Sequence, residues 1–182
     1  MKKQLLSLGL SAVALSFISG APANAETPQI ENVQAKEAPV VLKGEVGTII
    51  KNGNLIFERV ANKKSAIDEL ISPMASKRVF DITLRGSEMS QAFTLDSDYR
   101  YVKVWTRNTS SGDIKFTITK GSKTGSVVSG SSVTIPAGQS WNVYSTNAWS
   151  SGTYYANYTS GKVDLSGQSA ARLASSKDEL DL

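Results

Sequence analysis

The sequence predicts an all-β fold: an antiparallel β-sandwich or jelly-roll-like domain of about eight strands over residues 79–174. Three observations lead there. Short runs rich in Val, Ile, Thr, Tyr and Phe recur at Val79–Leu84, Gln91–Leu95, Tyr99–Arg107, Asp113–Thr119, Ser126–Ile135, Trp141–Ser145, Thr153–Thr159 and Val163–Leu173, with Gly, Ser, Asn or Pro clusters between them. Alternation is clean within them. Ile114, Phe116 and Ile118 fall on one face of Asp113–Thr119, and Lys115, Thr117 and Thr119 on the other. The length, 182 residues, allows one such core with flanking segments.

The elements follow in chain order. Residues 1–25 join Lys2-Lys3, an apolar run from Leu5 to Ile18, the breakers Gly20 and Pro22, and Ala23-Asn24-Ala25. That is the layout of a secretory signal peptide of bacterial type, with cleavage expected after Ala25, and the run is too short and serine-interrupted for a transmembrane span. Residues 26–39 are polar and interrupted by Pro28 and Pro39, and residues 26–45 read as a flexible leader. Residues 46–78 follow as a β-hairpin plus a short helix. Asn52-Gly53 lies between two β-branched runs, at the two positions where a type I′ turn needs positive φ, and Ser65-Ala66-Ile67-Asp68 starts at most two helical turns before Pro73. The Lys77-Arg78 pair admits a second reading, in which proteolysis removes 46–78 as a pro-segment. Residues 175–182 form an acidic tail expected to fray.

Composition excludes whole classes of chemistry. With no Cys and no His there is no disulfide, thiol nucleophile, Ser-His-Asp triad or His-ligated zinc. The formal charge of +4 falls to +2 after cleavage, because Lys2 and Lys3 leave while all 16 acids stay with 18 bases. So small an excess argues against a nucleic-acid partner. No G-x-S-x-G elbow, S-x-x-K, P-loop or Rossmann fingerprint occurs, so a non-catalytic protein without cofactors is expected. For a metal the weak candidate is Asp96-Ser-Asp98, two carboxylates in a turn that lack the other acids of an EF-hand loop; turn-forming Asp explains them equally well.

The candidate site is aromatic. If Val102 and Val104 face the core, strand parity puts Tyr101, Lys103, Trp105 and Arg107 together on the outer face. Trp141, Tyr144, Trp149, Tyr154, Tyr155 and Tyr158 crowd a second, Ser- and Asn-rich stretch. There Trp141, Tyr154 and Tyr158 are assigned to the core, and Trp149 and Tyr155 to the surface. Rings beside amides and hydroxyls suit sugar faces, and rings beside cations suit anionic polymers or a lipid interface. Cross-strand pairing inside the sheets is the competing use of these rings.

The stretch Ser132-Val-Thr-Ile-Pro-Ala-Gly-Gln-Ser-Trp141, followed by Ser151-Gly-Thr-Tyr-Tyr-Ala156, resembles the paired-strand idiom of small bacterial extracellular β-sandwich modules. The resemblance implies secretion and a sandwich. The aromatic texture is also similar to that of small β-sandwich cytolysins such as actinoporins, though no motif carries their lipid-binding residues over. The expected function is that of a secreted bacterial protein binding a cell-envelope polymer, a glycan or a membrane surface through Tyr101, Lys103, Trp105, Arg107, Trp149 and Tyr155. The alternatives are a membrane-acting toxin and a self-associating matrix or spore-surface protein. N-terminal sequencing of the exported chain is expected to begin at Glu26, and a chain starting at Met1 would refute the leader assignment.

Overall fold

The computed structural model describes residues 38–62 and 76–180. The expected signal segment and leader up to residue 37, the short helix expected near Ser65 and residues 181–182 lie outside the described residues. Among the described residues twelve strands are formed: β1 (Val40–Val41), β2 (Ile49–Asn52), β3 (Leu55–Val60), β4 (Lys77–Gly86), β5 (Glu88–Leu95), β6 (Tyr101–Asn108), β7 (Ile114–Lys120), β8 (Ser126–Val127), β9 (Val133–Ile135), β10 (Ser140–Ser145), β11 (Gly152–Thr159) and β12 (Leu165–Ala174). They make two sheets packed face to face. One sheet, here sheet A, runs β1-β9-β7-β11-β5 with β8 also on β7, and sheet B runs β2-β3-β10-β6-β12-β4. All pairings are antiparallel except the parallel contact of β1 with β9.

Period-two patterning explains the layering. Phe93, Leu95, Ile114, Phe116, Ile118, Tyr154, Ala156 and Tyr158 project inward from sheet A, and Leu55, Phe57, Leu84, Val102, Val104, Trp141, Val143 and Leu173 answer from sheet B. The core also holds a polar bridge. Tyr158 Oη on β11 lies 2.6 Å from Ser169 Oγ on β12, which is 3.0 Å from Thr106 Oγ1 on β6 and donates to the Trp105 carbonyl at 2.7 Å. Since the serine has one proton and spends it on that carbonyl, Tyr158 and Thr106 both donate to it. A phenol is among the few side chains long enough to reach across sheets about 10 Å apart. Burial pushes the Tyr158 hydroxyl well above the usual tyrosine range, which keeps it a donor.

Three expectations change. The strand expected over Ser126–Ile135 is broken in two. Gly130 sits at a positive φ of 79° against the β2–β3 turn, and Ser131 Oγ both accepts from the Ile118 amide (3.0 Å) and donates to its carbonyl (3.1 Å), so a side chain replaces backbone in the ladder. Residues 40–42, expected in a flexible leader, are docked. Val40 and Val41 pair with β9, and Leu42 is wholly buried. The acidic tail is anchored as far as Leu180, because Leu180 is buried against Tyr144 and Ala174 and the Glu179 carboxylate accepts from Ser175 N and Oγ, contacts that hold this carboxyl below its ordinary range.

The expected hairpin forms, but its turn lies one residue later than Asn52-Gly53: Asn52 ends β2 paired with Leu55, and Gly53, at φ 57°, and Asn54 make the turn. Its hairpin is continuous with the sandwich, since β3 pairs along its length with β10 and buries Leu55 and Phe57. Loss of residues 26–78 would therefore strip β1–β3 from both sheets and uncover core side chains. Replacing Tyr158 by Phe removes one buried hydrogen bond and leaves Ser169 a vacant acceptor site. The expected loss is about 1–2 kcal/mol, read as a lower urea midpoint at unchanged slope.

Candidate functional site

Strand parity along β6 is as expected, because Val102 and Val104 enter the main core while Tyr101, Lys103, Trp105 and Arg107 take the other side of sheet B. That side is not open. Trp105 is 0% exposed and Lys103 3%, while Tyr101 and Arg107 are half-buried, which corrects the expectation of an exposed aromatic-basic stripe. The indole lies between Asn142 and small Ala170 on the flanking strands, with Val60 against it. The Lys103 ammonium stands 5.0 Å from the centre of the Tyr144 ring, whose hydroxyl donates to Glu58 at 2.7 Å. Lys103, Arg107, Asn142, Tyr144 and Arg172 are all engaged. The row behaves as a second, smaller packed layer.

Trp149, expected on the surface, is also mostly buried at 8% exposure. Its backbone is clamped to Arg100, the amide donating to the Arg100 carbonyl (2.8 Å) and the carbonyl accepting from Arg100 Nε (2.7 Å). Its ring packs on Tyr154 at 5.1 Å between centroids. One margin of the pair lines an open cleft of about 260 Å³ at the end of the sandwich.

The outer face of sheet A is more open: Glu88, Ala92, Lys115, Val127 and Thr159 are exposed and Ser90, Thr117, Tyr155 and Asn157 half-buried, while Thr119 and Thr134 are buried. Cross-strand register sets its rows. Ala92, Tyr155, Thr119 and Val127 align across β5, β11, β7 and β8, and beside them run Ser90, Asn157 and Thr117, and then Glu88, Thr159, Lys115 and Thr134. Tyr155 is half-exposed, with small neighbours on both sides. The amide of Asn157 is oriented by its strand neighbours, accepting from Ser90 Oγ at 2.7 Å and donating to Thr119 Oγ1 at 3.0 Å. Thr119 passes its own proton to the Ser122 carbonyl (2.7 Å). Charge enters these rows only through Glu88 and Lys115, of opposite sign.

Of the expected binding residues, therefore, Trp105 and Lys103 are covered, Tyr101, Arg107 and Tyr155 are half-buried, Tyr155 being the one on the outer face of sheet A, and Trp149 borders a cleft. Ser90, Thr117, Thr119 and Asn157 join Tyr155 through register. The alternation of β7 and β11 already put Thr117, Thr119 and Asn157 on an outer side, whereas Ser90 needed the β5–β11 pairing. Of the large exposed apolar residues, Val127 ends the Tyr155 row, and the others lie elsewhere. Val40, Val41, Val46 and Ile49 belong to β1, β2 and the segment between them, and among the described residues no helix is long and apolar enough to cross a membrane.

The Asp96 carboxylate serves the turn, accepting from the amides of Asp98 (3.0 Å) and Tyr99 (2.9 Å), while Ser97 Oγ donates to Asp98. No group of three or more metal-binding side chains occurs among the described residues. The Tyr99 amide above all holds the Asp96 carboxyl below its ordinary range. A folded-state pKa below the unfolded one means stability present above the unfolded pKa and lost as pH falls through the folded one. Asp96→Ala should therefore lower the melting temperature at neutral pH. The gap from wild type should close as pH drops below about 4, and a constant gap would show that the carboxylate charge is not what matters.

In comparisons with protein-family models, curated proteins and solved structures, nothing matches this chain.

Proposed function

We propose that this is a secreted, bacterial, non-catalytic binding module that lays a neutral polysaccharide of the cell envelope or its surroundings along the outer face of sheet A. The observation that carries the reading is half-buried Tyr155 on the nearly uncharged outer face of sheet A, beside Ala92 and the row of Ser90, Asn157 and Thr117, with Asn157 held in one orientation. An aromatic ring offers a flat apolar platform to the C–H face of a sugar, and fixed hydroxyls and amides around it exchange hydrogen bonds with the sugar's own hydroxyls. A rigid strand surface keeps the ordering cost of binding low.

The finer fold reading is a jelly roll. Strands β4 to β7 and β9 to β12 lie in the orders β10-β6-β12-β4 and β9-β7-β11-β5, with the chain crossing between sheets at nearly every turn, which supports it. The fold class alone names no ligand. The signal-peptide pattern of residues 1–25 supports export. A second reading, a self-associating matrix protein, draws on the exposed Val46 and Ile49 beside the unpaired edge of β2. Sedimentation that shifts with concentration would favour it, as dye leakage from liposomes would favour a membrane-acting protein.

Tyr155→Ala is the direct test, using retention on isolated cell walls and on insoluble neutral polysaccharides. Wild-type protein is expected to be retained by at least one of these, and the variant to bind it at least about tenfold more weakly, the equivalent of ~1.4 kcal/mol. Equal retention of the two proteins, or none of the wild type, sinks the reading.

A further inference from the structure

The cleft at the end of the sandwich lies on the opposite side of β11 from Tyr155, and three separate segments build it. Asn54 comes from the β2–β3 turn, Lys120 and Ser129 from the β7–β9 region, and Trp149 and Ser150 from the β10–β11 loop, with the Tyr154 ring beneath. Each segment is tied to the next. The Asn54 carbonyl accepts from Thr146 N (2.9 Å) and Oγ1 (3.0 Å), Asn52 Nδ2 donates to the Gly130 carbonyl (3.0 Å), and Tyr154 Oη donates to the Ser150 carbonyl (2.8 Å). The walls are fixed before any ligand arrives.

The lining has a definite chemical character. Its base is the margin of the Trp149 and Tyr154 rings, its walls carry Val127 and Val128 beside hydroxyl and amide groups, it contains no carboxylate, and it carries one cation. That cation, Lys120, is exposed and held in place. Its ammonium stands 5.6 Å from the centre of the Tyr154 ring and donates to Ser150 Oγ, and among the described residues no carboxylate pairs with it. Two of its three protons remain to be donated. About 260 Å³ lies just below the range of drug-sized pockets, roughly 300–1,000 Å³, which suits a single small ring. A lone ammonium balances the single charge of a carboxylate, and the apolar margin of the cleft offers an organic ring a contact that inorganic phosphate cannot make.

We infer that this cleft binds the carboxylate-bearing ring of an acidic sugar, with Lys120 on the carboxylate, Trp149 and Tyr154 under the apolar side of the ring, and the Asn54, Ser129 and Ser150 side chains at its hydroxyls. The assignment is independent of the sheet A face. It makes Lys120 a residue that discriminates acidic from neutral sugars.

The test is an NMR titration of the full chain with D-glucuronate, D-glucose and inorganic phosphate, following the Trp149 indole and Tyr154 ring resonances. Glucuronate should shift both saturably, and glucose and phosphate should bind about tenfold more weakly or worse, the fold-change expected of one charge-assisted hydrogen bond. Lys120→Gln, which retains a donor for Ser150, should reduce glucuronate to the glucose level, and Lys120→Arg should restore the preference. Added salt should weaken glucuronate binding selectively, as the cleft is open to solvent. Tyr155→Ala should change none of this, so failure on the sheet A face leaves the cleft standing. No shift at Trp149, equal binding of glucuronate with glucose or phosphate, or a preference that survives Lys120→Gln overturns the inference.

Discussion

The hydroxyl cluster joining Tyr158, Ser169 and Thr106 is the interaction on which the rest of the architecture turns. It crosses the apolar core from β11 to β12 and β6, where an unmatched hydroxyl would be costly, so the two sheets can meet only in the register that pairs it. Because most successive strands from β4 onward alternate between the sheets, a slip of one strand would propagate to its neighbours in both. The same bond sets the outward side of β11. With Tyr154, Ala156 and Tyr158 inward, Tyr155 and Asn157 must face solvent.

A chain without cysteine has to hold such a sandwich by packing and hydrogen bonds alone. Small polar side chains act here as local staples where the ladder is interrupted. Ser131 completes the pairing of Ile118, Ser145 Oγ accepts from the Val102 amide at 2.9 Å, and Asn108 donates to the carbonyls of Gly112 (2.9 Å) and Ile135 (3.0 Å) while accepting from the Ser110 amide and hydroxyl. Each satisfies backbone groups that burial would otherwise leave without a partner. The large number of Ser, Thr and Asn residues thus has two uses: buried ones close the ladder, and outward ones on sheet A make the hydroxyl face.

Strand identity was legible in the sequence because it depends on near neighbours. Alternation in β7 and β11 and the hairpin signal at Asn52-Gly53, whose turn forms one residue later, are local, and Trp141, Tyr154 and Tyr158 could be assigned inward beside their apolar companions. The exposure of Trp105 and Lys103 was not legible. Parity states which side of a sheet a residue takes, whereas coverage depends on residues distant in sequence, here Tyr144, Ala170 and Val60. The break at Gly130 was hidden for a similar reason, as it reflects the approach of the β2–β3 turn from some 80 positions earlier.

By itself the sequence determined the all-β class, the alternation of inward and outward residues, the absence of thiol and imidazole chemistry, and the pattern of an export signal, because each follows from composition or from residues within a few positions of one another. The tertiary structure decided which outward side is open. It packed the aromatic-basic row of β6 into a second layer, left Tyr155 and Asn157 on the more open face, and gathered Lys120, Trp149 and Asn54 around one cleft. Solvent access is a property of the assembled sheets, set by strand pairing between distant segments.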